Sequence, residues 1–175
     1  MSDLKEGEIM EKLSIVDEYL TKSYLNENIY KSLNILQYIM SRLDNSMINF
    51  KKLHMVLEKL IEIFQKTDNR TRECILFLLK KYNNLFNNSI YDSIGKSNDE
   101  NLCVGMRRFI SKILNTNDHI FKRQCLVLLK YLPFLIDSKI KDNILFFLTD
   151  KTLIEEEKKE IYDILGLNYQ DANNI

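Results

Sequence analysis

Glycine, proline, alanine and tryptophan are nearly missing from this chain. Its 175 residues include four glycines, one proline, one alanine (Ala172) and no tryptophan. An all-β sandwich or barrel needs a turn about every 8–12 residues, and one proline with four glycines leaves few sites for tight hairpin turns. Gly7, Gly95, Gly105 and Gly166 stand alone, which excludes a glycine-rich phosphate cradle and a dinucleotide fingerprint. Net charge is also absent. Twenty-five Lys+Arg balance 25 Asp+Glu, leaving no bulk field to draw in nucleic acid or an anionic membrane. The longest apolar run, Cys74 to Leu79, is six residues, against the ~18 needed to span a membrane.

Cys74, Cys103 and Cys125 are odd in number and form no CxxC pair. They read as reduced thiols in a reducing compartment. The first residues, Met-Ser-Asp-Leu-Lys-Glu, are polar and mixed in charge, unlike a secretory leader. The chain therefore reads as soluble and intracellular. Hydrophobic residues at 45% and charged residues at 29% describe a globular protein. The 18 asparagines are scattered; together with the lack of alanine they point to an AT-rich coding sequence rather than a prion-like tract.

The apolar residues recur at helical spacing. Ile9, Leu13, Val16 and Leu20 begin the pattern. Leu33, Leu36, Ile39 and Met40 continue it, then Leu53, Val56, Leu57, Leu60, Ile61 and Phe64. Further runs start at Ile75, Met106, Cys125, Ile140 and Leu153. Asp44-Asn45-Ser46, Thr67-Asp68-Asn69 and Asn117-Asp118 separate runs, and such residues cap helix starts. Thr152 and Glu155 fit a capping box, Gly166 fits a helix stop, and Pro133 should end a helix near Leu132. The spacing predicts about seven or eight helices and no strand.

The chain also repeats. Shifted by 50 residues, 55–94 overlies 105–144 without a gap, with ten identities. These include Asp68/Asp118, Leu79/Leu129, Lys80/Lys130 and Asp92/Asp142. A bias toward leucine would match leucines but not the charged residues in the same frame. A looser copy lies about 43 residues upstream. The repeated unit is helix, short acidic turn, helix, and each apolar stripe needs a neighbour to cover it. The expected architecture is an all-α solenoid of HEAT- or armadillo-like helix pairs. It forms a single domain over 1–175, with repeats near 9–44, 47–94 and 100–149 and a polar cap helix at 152–166. Asp68 and Asp118 are expected to cap the second helix of each pair, and Arg72 and Lys122, one turn inside, to reach back to a turn.

One segment carries a more specific likeness. Lys59-Leu60-Ile61-Glu62-Ile63-Phe64, then Asn69, Arg72 and Cys74-Ile75-Leu76, resembles the N-terminal helical-repeat region of the Integrator complex subunit 7 family. Arg107-Arg108-Phe109-Ile110-Ser111 and Asn117-Asp118 with Lys122, Leu126, Leu129, Leu132 and Ile136 extend it over 50–140. The family's proline after the turn aspartate is replaced by Asn69 and His119, and gaps are needed near Gly95–Gly105 and before Asp118. The resemblance implies a non-enzymatic scaffold in a nuclear complex that processes nascent transcripts, including small nuclear RNA 3′ ends. Its partners would be protein subunits of that complex. Vesicle-coat trunks of the adaptin and coatomer type also share Phe64-Gln65 and the Asp68…Arg72 turn, and they imply a cytoplasmic location. Both families stay open on the residues.

Chemistry is sparse. His54 and His119 are the only near-neutral bases, and no pattern brings either to Cys103. No catalytic residue, metal site or cofactor is expected. Arg107, Arg108, Lys112, Lys122 and Arg123 form the densest basic cluster. They offer a possible contact surface for RNA, as the second functional reading, without the stacking aromatics of the usual RNA-binding modules. Glu155-Glu156-Glu157-Lys158-Lys159-Glu160 reads as a solvated helix face.

Overall fold

The structure, a computed structural model, describes residues 6–22, 26–42, 50–86 and 100–167. Among the described residues the regular elements are eight α-helices and one 3-10 turn. Helix α1 is Glu6–Thr21, α2 Asn26–Met40, α3 Phe50–Phe64 and α4 Asn69–Phe86. Helix α5 is Glu100–Leu114 and α6 His119–Tyr131; the 3-10 turn Pro133–Leu135 leads to α7, Ser138–Phe147, and α8, Glu155–Ile164. The expected turn at 44–46 lies outside the described residues. Where the sequence suggests one domain, the chain divides into two compact units, Met1–Asn98 and Asp99–Ile175. The boundary falls in Gly-Lys-Ser-Asn-Asp-Glu-Asn, a stretch with no apolar side chain to bury.

In the first unit α1 packs on α2 and α3, α2 on α4, and α3 on α4. The apolar stripes meet in one core: Leu13, Val16, Leu36, Ile39, Val56, Leu57, Leu60, Phe64, Leu78 and Leu79 are all buried. Each such side chain contributes roughly 1.5–3 kcal/mol on burial. A polar link fastens α1 to α3. Asp17 accepts a hydrogen bond from Lys59 Nζ and sits 3.6 Å from Lys52 Nζ. Lys59 Nζ also lies 3.2 Å from Thr21 Oγ1.

In the second unit α5 packs on α6 and α7, and α6 on α8. The core holds Met106, Ile110, Cys125, Leu128, Leu129, Leu132, Ile140, Ile144 and Ile161. Pro133, lacking an amide hydrogen, opens the 3-10 turn directly after α6, as its chemistry requires. A polar joint links α5 to α7: Asn143 Nδ2 donates to Ser111 Oγ at 2.7 Å, and Asn115 Nδ2 to Asn143 Oδ1 at 3.3 Å. Ser111 is itself buried, so this bond satisfies a group that water does not reach.

The 50-residue frame recurs in the burial pattern. Val56/Met106, Leu60/Ile110, Ile61/Ser111, Ile63/Ile113 and Phe64/Leu114 are buried in both hairpins. So are Arg72/Lys122, Ile75/Cys125, Leu76/Leu126, Leu78/Leu128, Leu79/Leu129 and Tyr82/Leu132. Serine stands at 111 where isoleucine stands at 61 because α7 supplies Asn143 as its partner. The pairs Ile90/Ile140, Asp92/Asp142 and Ile94/Ile144 have their first members outside the described residues.

The start of the last helix differs from the sequence expectation. Thr152 and Glu155 do not form a capping box. Ile154 occupies the N-cap with no side-chain bond, and the helix begins at Glu155 rather than 152. Thr152 instead donates its amide and hydroxyl to Asp150 Oδ1, at 2.9 and 2.8 Å. The aspartate two residues upstream wins the threonine and forms its own local turn. At the other end Gly166 adopts φ +69°. Leu167 N donates to Tyr162 O at 2.9 Å and Gly166 N to Asp163 O at 3.1 Å. These are the two bonds of a Schellman stop, in which glycine is preferred because it has no Cβ.

Candidate functional site

The two acidic turns are built alike. Asp68 Oδ1 accepts from Thr71 N at 2.8 Å, and Asp118 Oδ1 accepts from Phe121 N at 3.1 Å. Each carboxylate thereby satisfies an amide that the first helical turn leaves free. Arg72 N and Lys122 N donate to the carbonyls of Asp68 and Asp118, both at 3.0 Å. The Thr71 amide bond is the main reason that the Asp68 carboxyl titrates below the usual aspartate range; the Thr71 side chain, Tyr30 and the Arg72 charge assist. Tyr30 Oη of α2 donates to Asp68 Oδ2 at 3.2 Å, so this turn is also tied to the preceding hairpin.

The paired cations take different partners. Arg72 is buried and folds back on its own turn, donating to the Thr67 carbonyl and to Asn69 Oδ1. Lys122 is also buried, but its Nζ lies 4.9 Å from the centre of the Phe147 ring on α7. Its charge helps to hold the Asp150 carboxyl below the usual range. The larger causes are the bonds from the Thr152 amide and side chain, with His119 adding its charge. His119 Nδ1 sits 3.6 Å from Asp150 Oδ2, a pair that is ionic only when the imidazole is protonated. Arg72 therefore closes a turn, whereas Lys122 joins one hairpin to the next.

The five cations of the basic cluster differ in their partners. Arg107 donates from Nε to Leu135 O at 3.2 Å and from Nη2 to Phe134 O at 2.9 Å. It thereby holds the 3-10 turn after α6. Arg123 Nη2 lies 2.7 Å from Glu157 Oε1 on α8. With Lys122 beside the Phe147 ring, three of the five cations have partners within the chain. Arg108 and Lys112 remain exposed, one turn apart on α5. Local sequence spacing cannot separate these roles, because the partners lie about thirty residues away. Asp17, Tyr30, Asn143 and Asp150 were likewise not picked out by sequence. They carry no motif and matter only through helix packing.

The other reactive groups are dispersed. Cys74 and Cys103 are half-buried, Cys125 is buried, and none of the three is in a disulfide. The His54 side chain lies outside the described residues. Among the described residues no group of three or more His, Cys, Asp and Glu is placed to hold a metal ion, and no helix is long and apolar enough to cross a membrane. The charge run on α8 is mostly exposed. Glu157 is half-buried by its pairing with Arg123, and Ile161 faces the core. Compared with known proteins, the chain matches no family model, no curated protein and no solved structure.

Proposed function

We propose that this protein is a non-enzymatic helical-repeat scaffold of HEAT or armadillo type, docking protein subunits of a larger complex. The observation that carries the reading is the repeated hairpin. Two segments 50 residues apart share their cap aspartate, their buried cation and their buried apolar positions. Within each unit the first helix packs on the third and the second on the fourth. Stacked hairpins of this kind leave their outer faces to partners. The Integrator subunit 7 likeness over 50–140 makes an Integrator-like role in small nuclear RNA 3′-end processing, in the nucleus, the favoured form of this proposal. A vesicle-coat trunk, in the cytoplasm, is the alternative form.

Affinity purification of the full chain from its source cells, read by mass spectrometry, tests the choice. Integrator subunits are the expected company. Coat subunits without them would overturn the family assignment. The second reading, an RNA-binding module, predicts salt-sensitive RNA binding that fails on Arg108→Glu/Lys112→Glu. Arg107 is unsuited to that test, because its guanidinium holds the turn after α6.

A further inference from the structure

The second unit pairs one basic helix with its own acidic helix and leaves another basic surface uncovered. Helix α6 carries Lys122, Arg123 and Lys130 and no acid. Beside it lies α8, with five acids against two lysines. The Arg123–Glu157 pair joins them, and Ile161 anchors α8 in the core. An acidic amphipathic helix thus packs beside a basic one and pairs with it at Arg123.

Helices α5 and α7 lie side by side and have no such cover among the described residues. They are held by the Ser111–Asn143–Asn115 bonds. Exposed on the side of their seam are Arg108 and Lys112 of α5 and Lys139 of α7, with Asp142 and the N-cap Asp137 as the exposed acids of α7, whereas Lys141, two residues beyond Lys139, falls on the far flank of α7. Arg108, Lys112 and Lys139 form no ion pair among the described residues. Apolar groups accompany them. Phe146 is 72% exposed, and Val104 is also open to solvent. Arg108 and Lys112 flank Ser111, and Phe146 lies one turn beyond Asn143, so the bonded residues place the cations and the ring on neighbouring helix faces.

We propose that the outward α5/α7 face docks an acidic amphipathic segment of a partner protein, packing beside this face as α8 packs beside α6. The proposal rests on the scaffold reading and adds the partner's chemistry. Carboxylates would meet Arg108, Lys112 and Lys139 and steer the encounter, while apolar side chains of the same segment would bury Phe146 and Val104. A nucleic-acid backbone would use the cations but leave those apolar groups in water.

The test uses the full chain and a fluorescein-labelled synthetic peptide of about 20 residues, with leucines at helical i, i+3, i+4, i+7 spacing and glutamates between them. A scrambled peptide of equal composition and a 20-nucleotide oligouridylate are the comparison probes. Fluorescence polarisation should show binding of the amphipathic peptide alone. Binding should weaken at least ~10-fold with Arg108→Glu/Lys112→Glu and also with Phe146→Ser, the former loss shrinking as salt is raised. The substituted side chains are exposed, so circular dichroism should be unchanged; Arg108→Gln/Lys112→Gln serves if charge reversal disturbs folding. Equal binding of the scrambled peptide, indifference to these substitutions, or binding of the oligouridylate alone would overturn the proposal. A photo-crosslinking peptide that labels other helices would do so as well. If those failures occur while partner subunits still co-purify, the docking face falls and the scaffold reading stands.

Discussion

Removing the cap carboxylate of one repeat should weaken one unit by an amount the geometry sets. Asp118→Ala leaves the Phe121 amide without its 3.1 Å acceptor. Loss of such a cap costs about 0.5–2 kcal/mol. If the second unit melts alone, a loss near 1 kcal/mol lowers its transition by roughly 4–8 °C; if the whole chain melts together, the shift is about half that. Scanning calorimetry reads the shift, and hydrogen exchange at Phe121 locates it. Asp118→Asn should be nearly silent, because asparagine caps as well as aspartate. Asp68→Ala should cost more than Asp118→Ala, since Asp68 also accepts from Tyr30 Oη at 3.2 Å. Tyr30→Phe isolates that share, about 0.5–1 kcal/mol for a net hydrogen bond. An unshifted transition in Asp118→Ala would refute the capping argument. An Asp118→Asn loss as large as that of alanine would show that charge, rather than the cap bond, matters.

Leu79→Ala and Leu129→Ala occupy one repeat position and are fully buried in both hairpins. Each should cost about 2–5 kcal/mol by cavity formation, and a large difference in chemical denaturation would break the equivalence of the two hairpins. Gly105 lies inside α5, and an added Cβ would meet nothing within 4 Å. Gly105→Ala should therefore raise stability by roughly 0.5–1 kcal/mol, and a lowered melting temperature would contradict that placement. Stability should also fall in acid. Asp17 is held below the usual carboxylate range, first by the bond from Lys59, with the Lys59 and Lys52 charges adding and burial opposing. Its contribution is complete above the unfolded value of about 3.9 and is lost as pH falls through the lower folded value. Asp17→Asn should flatten that acid limb in a pH series of denaturation midpoints, and an unchanged slope would remove Asp17 from the account.

Much of the fold was legible because helices write their own period. The apolar stripes from Ile9 to Leu20 and from Leu53 to Phe64 forecast the faces that the structure buries. The acidic turns, Pro133 and Gly166 act within a few residues of themselves, so their roles could be read locally. The start of α8 could not, because Thr152 had two partners within reach and Asp150 competed successfully. The division into two units was also hidden, since no linker composition stands out beyond one polar stretch. The basic cluster was legible only as a set of residues. Its members Arg107, Lys122 and Arg123 look alike in sequence but find the carbonyls at 134 and 135, the Phe147 ring and Glu157.

The sequence by itself determined an all-helical chain, the place of its capped turns and the 50-residue recurrence, because hydrogen bonding and side-chain period act over three to four residues. Tertiary structure decided which charges are spent on internal contacts and which stay exposed. That choice depends on how α5, α6, α7 and α8 stack, a matter of packing between residues some thirty positions apart. It leaves Arg108, Lys112 and Lys139 exposed with Phe146 on the surface of the second unit.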